Sequence, residues 1–188
     1  MDKVLFINAC VRPCSRTLNL AETLLDKLKG NVQEVRLNEM SLPVLDQKGI
    51  LKRELAVKLN DFSDRFFDAA RQFAAADVIV IAAPYWDLLF PAVLKLYLEN
   101  ITVSCITFDY SSQGIPESLC KAKSLYYVTT SGGFIGQNDF GFSYVKALAT
   151  NFFGISDVRC YTAEGLDIFG ADADSIMNQA KASIIGDF

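Results

Sequence analysis

One short stretch near the start of the chain combines thiol, hydroxyl and guanidinium groups: Cys10-Val11-Arg12-Pro13-Cys14-Ser15-Arg16-Thr17. The stretch follows an apolar run and precedes a helical pattern, so its unpaired backbone N–H groups and the helix dipole favour an anion, phosphate above all. Ser15 and Thr17 add hydroxyl groups, and Arg12 and Arg16 can add charge-assisted hydrogen bonds. The plain structural alternative is that Ser15 only caps the helix and the arginines are solvated.

Two later segments offer surfaces for a flat, polar ligand. Pro84-Tyr85-Trp86-Asp87-Leu88-Leu89-Phe90 places Tyr85 and the only tryptophan directly after an apolar run, where a planar ring can lie against them. Thr129-Thr130-Ser131-Gly132-Gly133 ends another apolar run in paired glycines, which let backbone amides approach a ligand closely. Taken singly, these segments also fit core aromatics and an ordinary turn. Together, a phosphate cradle, an aromatic wall and an amide-rich edge match the three parts of flavin mononucleotide (FMN).

The first stretch also permits a hypothesis from a different class of enzyme. Cys10 and Arg16 form a Cys-x5-Arg pattern followed by Thr17, which resembles the loop of the low-molecular-weight tyrosine phosphatases. By that resemblance, Cys10 would be the nucleophile and Arg16 would clamp the phosphoryl oxygens. That family takes its general acid from an Asp-Pro pair, and none of the five prolines here follows an aspartate. The sequence therefore favours the flavin hypothesis over the phosphatase.

Composition limits the classes of protein to which the chain can belong. A length of 188 residues with 51% hydrophobic and 21% charged residues predicts one folded domain, residues 1–188. The formal net charge of -4 argues against a nucleic-acid binder, and the absence of histidine excludes Ser-His-Asp and Cys-His catalysis and His-ligated metal sites. We therefore predict no metal.

The cysteines and the N-terminal segment bear on the cellular compartment. Five scattered cysteines, an odd number in a chain this long, are typical of reduced thiols in a cytoplasmic protein. The N-terminal residues show no secretory signal, and the apolar run at residues 78–83 is far shorter than a membrane span. We expect a cytoplasmic protein without membrane insertion.

Hydrophobic periodicity predicts the elements that must position these segments. Apolar runs predict strands at 4–9, 32–37, 78–83, 124–130 and 158–163, and helical spacing predicts helices at 15–30, 55–76, 91–103, 142–153 and 171–185. Residues 38–52 are predicted to form a loop, and 104–123 an irregular insertion over a site. Alternating strands and helices predict an α/β fold with a doubly wound parallel sheet covered on both faces, and its strand ends bring the three segments to one rim.

Seven segments in order resemble the FMN-dependent NADH:quinone oxidoreductases and FMN-dependent NADH-azoreductases, which have a flavodoxin-like fold. The matching residues are Lys3-Val4-Leu5, Ser15-Arg16-Thr17, Asp77-Val78-Ile79-Val80-Ile81-Ala82-Ala83-Pro84 with the aromatic loop, Leu94-Lys95, Ile106-Thr107-Phe108-Asp109-Tyr110, Thr129-Thr130-Ser131-Gly132-Gly133 and Ala163-Glu164-Gly165. The resemblance implies a five-stranded parallel sheet of order 2-1-3-4-5 and an FMN site. It implies the following cofactor-binding residues: Cys10, Ser15, Arg16, Thr17, Tyr85, Trp86, Asp87, Leu88, Thr130, Ser131, Gly132 and Gly133.

The same resemblance implies a homodimer with a ping-pong reaction. NADH or NADPH would reduce FMN, and a quinone or azo compound would then take two electrons from it; flavin N5 carries the hydride, so no catalytic side chain is required. Asp87 stands where the family usually has asparagine, and Cys10 replaces a serine. A one-electron carrier of the flavodoxin type is a further alternative, but such carriers are usually strongly acidic and this chain is only mildly so.

Overall fold

The computed structural model describes residues 1–188 as a sheet layered between helices. The strands are β1 (Asp2–Asn8), β2 (Gly30–Arg36), β3 (Val78–Ala82), β4 (Phe108–Tyr110), β5 (Pro116–Ser118), β6 (Ser124–Thr130) and β7 (Asp157–Ala163). The helices are α1 (Arg16–Leu25), α2 (Gln47–Leu59), α3 (Asp68–Ala74), α4 (Ala92–Ile101), α5 (Phe140–Asn151) and α6 (Ala173–Gly186). None of these helices is long and apolar enough to cross a lipid bilayer.

The main sheet is parallel, with five strands in the order β2-β1-β3-β6-β7. This is the predicted order 2-1-3-4-5 once the two strands of a separate small hairpin are left out of the numbering. Strand β1 is a nearly continuous apolar run and lies inside the sheet, whereas apolar and polar residues alternate in β2, which lies at the edge of the sheet. The predicted flavodoxin-like α/β fold is confirmed.

The sheet is buried on both faces because alternate residues of its central strands enter two different cores. Ile7 and Ile81 belong to a core that includes residues of α3, α4 and α5. Phe6 and Val80 belong to the other core, which is closed by α1 and α6. Side chains of a strand alternate between the two faces of the sheet, so neighbouring hydrophobic residues of one strand pack into different cores. This burial fixes the strand register and the position of the loops that leave the carboxyl ends.

The helix predicted at 55–76 is wrong as a single element. Asn60 takes a left-handed conformation, φ 48°, and ends α2. The Asp61 carboxylate then accepts a hydrogen bond from the Ser63 N–H, and the Asp64 carboxylate accepts one from the Phe66 N–H. Short polar side chains of this kind compete with helical hydrogen bonds and favour turns. Helix α2 also begins inside the predicted loop at 38–52, where Asp46 caps the Gly49 N–H.

The segment 104–123 does not cover a site at the carboxyl ends of the strands. It contains the antiparallel hairpin β4–β5 and then runs to the amino ends of the strands, where the Lys123 N–H donates to the Asp77 carbonyl. Ser118 donates its hydroxyl proton to the carbonyl of Phe153, close to the end of α5. The expectation of an insertion over the site is therefore wrong, because these hydrogen bonds hold the segment at the opposite edge of the sheet.

Candidate functional site

The start of α1 presents hydrogen-bond donors that have no partner in the protein. Ser15 caps the helix, and its Oγ accepts from the Leu18 N–H at 3.3 Å. The N–H groups of Ser15, Arg16 and Thr17 have no protein acceptor. The first turn contains no acidic side chain that would compete for these donors. The cradle predicted from the sequence thus exists, and it is open to an anion.

The aromatic segment, residues 84–90, forms a tight turn at the carboxyl end of β3. Trp86 and Leu89 exchange both backbone hydrogen bonds, at 2.9 and 2.8 Å. The two residues between them, Asp87 and Leu88, both have left-handed backbones, with φ of 49° and 68°. Aspartate tolerates this conformation, whereas a leucine there is strained. The turn holds the Trp86 side chain beside the sheet edge with 39% of its surface exposed.

Tyr85 ties this turn to the segment that follows β6. Its N–H donates to the Thr130 carbonyl at 3.0 Å. Its hydroxyl donates to the carbonyl of Asn138, also at 3.0 Å. Tyr85 thus connects the aromatic segment to the end of β6 and to the loop before α5. These two hydrogen bonds fix the aromatic segment relative to the glycine-rich one.

The third segment, residues 129–133, contains the end of β6 and the two glycines after it, and it runs beside the loop that follows β7. Ser131 is buried, and its hydroxyl donates to the Gly133 carbonyl at 2.5 Å. The N–H groups of Leu166 and Asp167 donate to the carbonyls of Ser131 and Gly132. The N–H groups of Gly132 and Gly133 have no protein acceptor. The amide-rich edge expected from the sequence is therefore present and held from behind by the β7 loop.

All three segments line one cavity of about 270 Å³. Its walls are Val11, Arg12, Cys14, Ser15, Arg16, Thr17, Pro84, Tyr85, Trp86, Thr130, Ser131, Gly132, Leu166 and Asp167. A larger groove of about 590 Å³ lies alongside, between α1 and α6, and shares only Cys14, Ser15 and Arg16 with this cavity. We take the smaller cavity as the candidate site because it is the one where the three predicted segments meet.

Four of the predicted site residues do not line the cavity. Cys10 is buried beneath the cradle, where its N–H donates to the Asn8 side-chain oxygen at 2.9 Å. Asp87 and Leu88 form the tip of the aromatic turn, and Gly133 follows the cavity-lining Gly132. The other eight predicted residues line it: Ser15, Arg16, Thr17, Tyr85, Trp86, Thr130, Ser131 and Gly132.

Sequence reasoning missed Leu166 and Asp167. The signal was available, because the loop after the fifth strand of a parallel sheet must reach the same edge as the loops after the first and third. Asp167 forms an ion pair with Arg16, in which Nη2 of Arg16 lies 2.6 Å from Oδ1 of Asp167. Arg16 also donates through Nη1 to the Leu166 carbonyl at 3.2 Å. The β7 loop therefore takes part in the cradle.

The Cys10 thiol is unsuited to attack phosphorus. Burial raises its pKa to about 11; a hydrogen bond with Ser15 offsets only part of this rise, and the neighbouring Glu34 carboxylate adds to it. A nucleophilic cysteine needs the thiolate, and hence a lowered pKa and exposure to the substrate. Arg16, the supposed clamp, is already paired with Asp167. The geometry removes the basis for the phosphatase hypothesis.

Comparison with known proteins gives the same fold and a consistent set of relatives. A family model described as the flavodoxin-like fold matches residues 2–186. A protein of Lachnoclostridium phytofermentans named FMN-dependent NADH:quinone oxidoreductase is 34% identical, over 96% of this chain and 95% of its own. A Clostridium acetobutylicum protein, FMN-dependent NADH:quinone oxidoreductase 2, is 33% identical, over 94% of this chain and 93% of its own. The resemblance identified from the sequence is confirmed.

Solved structures share the fold at lower identity. An azoreductase from Bacillus anthracis strain Sterne superposes with a TM-score of 0.85 at 23% identity, covering 99% of this chain and 98% of the other. An FMN-dependent NADH-azoreductase from Bacillus anthracis strain Ames Ancestor, solved in complex with FMN, gives a TM-score of 0.82 at 22% identity. That superposition covers 100% of this chain and 97% of the other.

Proposed function

The chain belongs to the flavodoxin-like fold family and, within it, to the FMN-dependent NADH:quinone oxidoreductases, and we propose that it reduces quinones or azo compounds with FMN and NADH or NADPH. The observation that carries the proposal is the meeting of the three predicted segments on one cavity. A ligand with a phosphate at one end and a flat heterocycle at the other has complementary groups along its whole length there.

The unpartnered hydrogen-bond donors at the cavity match the acceptor groups of FMN. Ser15, Arg16 and Thr17 offer three unpartnered N–H groups at the start of α1, where a phosphate is favoured. Gly132 offers a further N–H group at the other edge of the cavity, suited to a carbonyl oxygen of a flavin ring; the N–H group of the adjacent Gly133, which does not line the cavity, has no protein acceptor either. Unsatisfied donors at both ends of one cavity are expected where a ligand supplies the acceptors.

Each group of residues has a separate task in this proposal. Ser15, Arg16 and Thr17 bind the phosphate, and Trp86 provides a wall for the ring. The buried Thr130 and Ser131 hold the pyrimidine edge, while Cys10, Asp87, Leu88 and Gly133 shape the loops from outside the cavity. Bound FMN supplies the two-electron chemistry of a ping-pong reaction, and the protein binds and orients it. No side chain needs to transfer a proton, which accords with a chain that has no histidine.

The two alternatives raised from the sequence are not retained. The protonated, buried Cys10 speaks against a cysteine phosphatase. The Lachnoclostridium and Clostridium relatives are named as NADH-dependent oxidoreductases, which favours an enzyme over a one-electron carrier.

Anaerobic stopped-flow mixing tests the proposal. We expect FMN-loaded protein to lose its flavin absorbance with NADH or NADPH and to regain it with a quinone or an azo dye. Parallel runs with both nucleotides give the donor preference. Trp86→Ala should weaken FMN binding, whereas Trp86→Phe should retain most of it. Protein that binds no FMN would contradict the proposal, and flavin reducible only through a protein partner would favour the carrier.

We further propose that the chain is a single-domain cytoplasmic protein that forms a homodimer. Helix α2 supports the dimer because it leaves an apolar surface uncovered: Leu51 and Leu55 are each 55% exposed, and Leu59 is 64% exposed. Only Ala56 of this helix is buried. Neighbouring exposed hydrophobic residues on one short helix are typical of a surface that a second protein molecule covers. Five cysteines without a disulfide support a reducing compartment.

Light scattering coupled to size-exclusion chromatography tests the dimer. We expect twice the chain mass for the wild type and a monomer for Leu51→Lys/Leu55→Lys. Ile185→Lys on α6, where the side chain is 50% exposed, is the matched control and should remain dimeric. A monomeric wild type would contradict this part of the proposal without touching the FMN site.

A further inference from the structure

The cradle contains a charge that opposes the ligand proposed for it. Among the residues that line the cavity, Arg12 and Arg16 are the only basic ones and Asp167 is the only acidic one. Asp167 pairs with Arg16 through Nη2 and Oδ1 at 2.6 Å. One of the two basic side chains available to a phosphate is thus paired with a carboxylate of the same chain.

The carboxylate is held in this position by the backbone of the third segment. The Asp167 N–H donates to the Gly132 carbonyl at 2.9 Å. A methyl group placed on Gly132 would come within 2.5 Å of Asp167 Oδ2, so the carboxylate lies directly over this glycine. Arg16 is also held by the neighbouring residue of the same loop, because its Nη1 donates to the Leu166 carbonyl. Both partners therefore have fixed anchors beside the unpartnered N–H groups of α1.

The Asp167 carboxylate accepts from Nη2 of Arg16, a charged donor of the kind that a phosphate oxygen also uses. Asp167 has 64% and Arg16 42% of its side-chain surface exposed, so their mutual attraction is screened by water and is weak. A phosphate dianion that also receives three N–H groups and a helix dipole can replace the carboxylate at Arg16. After that replacement, the unpaired carboxylate remains close to the phosphate and repels it.

We propose that Asp167 is an internal competitor of the FMN phosphate: its carboxylate pairs with Arg16 when no phosphate is bound, is displaced from Arg16 on FMN binding, and lowers the affinity for FMN. This inference rests on the proposed function and concerns the retention of the cofactor. Asp167 is a residue that tunes specificity for the phosphate, not a catalytic residue. Its effect must depend on the phosphate and must be absent for riboflavin, which has the same ring and no phosphate.

Flavin titrations of the apoprotein test this proposal without measuring turnover. Trp86 is the only tryptophan and lines the cavity, so quenching of its fluorescence reports flavin binding directly. We expect Asp167→Asn to bind FMN roughly five- to ten-fold more tightly at low salt, the size expected for removing one nearby charge in water. The gain should shrink as salt screens the repulsion. Riboflavin affinity should stay within about two-fold of wild type.

Two further variants keep the result interpretable. Asp167→Glu retains the charge and should leave FMN affinity within about two-fold of wild type. Asp174→Asn removes a carboxylate from the adjoining groove between α1 and α6 and should change neither affinity. FMN binding by Asp167→Asn that is equal to or weaker than that of the wild type would overturn the proposal that Asp167 competes with the phosphate. An equal gain in affinity for FMN and riboflavin would overturn it as well. If no variant binds either flavin, the proposed function fails and this inference fails with it.

Discussion

The hydroxyl oxygens of Thr17 and Thr130 lie 2.6 Å apart, with both side chains buried. Thr17 is in the first turn of α1, and Thr130 is the last residue of β6. One hydrogen bond therefore joins the cradle to the start of the glycine-rich segment. Because the Thr130 carbonyl also accepts from the Tyr85 N–H at 3.0 Å, this threonine connects all three segments.

Replacing Thr17 by valine should destabilise the protein and weaken FMN binding. Valine fills the same volume but leaves the buried Thr130 hydroxyl without a partner, which costs about 1–3 kcal/mol of unfolding free energy. Urea denaturation of the apoprotein measures this cost. Thr150→Val, an exposed position where the hydroxyl bonds only to its own helix, should stay within about 0.5 kcal/mol of wild type.

The double variant Thr17→Val/Thr130→Val separates the hydrogen bond from other effects. With both hydroxyls gone, no buried donor is left unpaired, so the loss should be smaller than the sum of the two single losses by about 1 kcal/mol. Strict additivity would mean that the two threonines do not interact, and the link between cradle and third segment would have to be rejected.

The sequence was sufficient for the sheet and for most of the site. The short apolar run 78–83, which is followed by Pro84, is typical of a strand buried on both faces, and loops at the carboxyl ends of parallel strands must share an edge. These two rules alone place Thr17, Trp86 and Gly132 at one end of the sheet. These inferences succeed because they use only the local spacing of apolar residues and the few strand orders that a parallel α/β sheet allows.

The failures have a different origin. The break at Asn60 depends on side-chain capping that a hydrophobic period spanning residues 55–76 does not reveal. The segment 104–123 is positioned by contacts with residues distant in sequence, among them hydrogen bonds to the carbonyls of Asp77 and Phe153. The pairing of Asp167 with Arg16 joins residues 151 positions apart. Such tertiary contacts leave no periodic trace in the chain.

The buried thiol of Cys10 and the partly buried thiols of Cys120 and Cys160 should make the protein less stable in alkali. Burial raises the pKa of Cys10 to about 11 and those of Cys120 and Cys160 to about 12. Their folded pKa values lie above the unfolded value, so the stabilisation is complete below the unfolded pKa and is lost as pH rises towards the folded one. We expect the unfolding free energy to fall between roughly pH 8.5 and pH 12.

Urea midpoints measured across this pH range, under reducing conditions, check the prediction. Cys160→Ala removes one partly buried thiol and should reduce the slope, even though the lost packing lowers stability at every pH. Cys14→Ala removes an exposed thiol and should leave the slope unchanged. In the native protein, a thiol reagent at neutral pH should modify Cys14 well before Cys10; the reverse order would contradict the described burial.

Adding a methyl group at Gly132 should disturb the cradle through Asp167. The new atom would lie 2.5 Å from Asp167 Oδ2 and 3.2 Å from its Cβ, so the carboxylate has to move. We expect Gly132→Ala to cost about 1–2 kcal/mol of unfolding free energy. Gly133→Ala is the neighbouring control, because nothing lies within 4 Å of its added atom. Equal losses for the two variants would show that the close approach of Asp167 does not matter.

Asp87→Asn should raise the reduction potential of bound FMN. Asp87 does not line the cavity but directly follows the cavity-lining Trp86, so its carboxylate acts through space against the negative charge that reduction brings. Asparagine removes the carboxylate charge and tolerates the left-handed backbone of φ 49° at this position. A change of about 1 kcal/mol corresponds to roughly 20 mV for a two-electron couple. Anaerobic titration against a reference dye measures the midpoint, and Asp174→Asn controls for a charge removed from the neighbouring groove. An unchanged or lower midpoint in Asp87→Asn would place the Asp87 carboxylate too far from the ring to act on it.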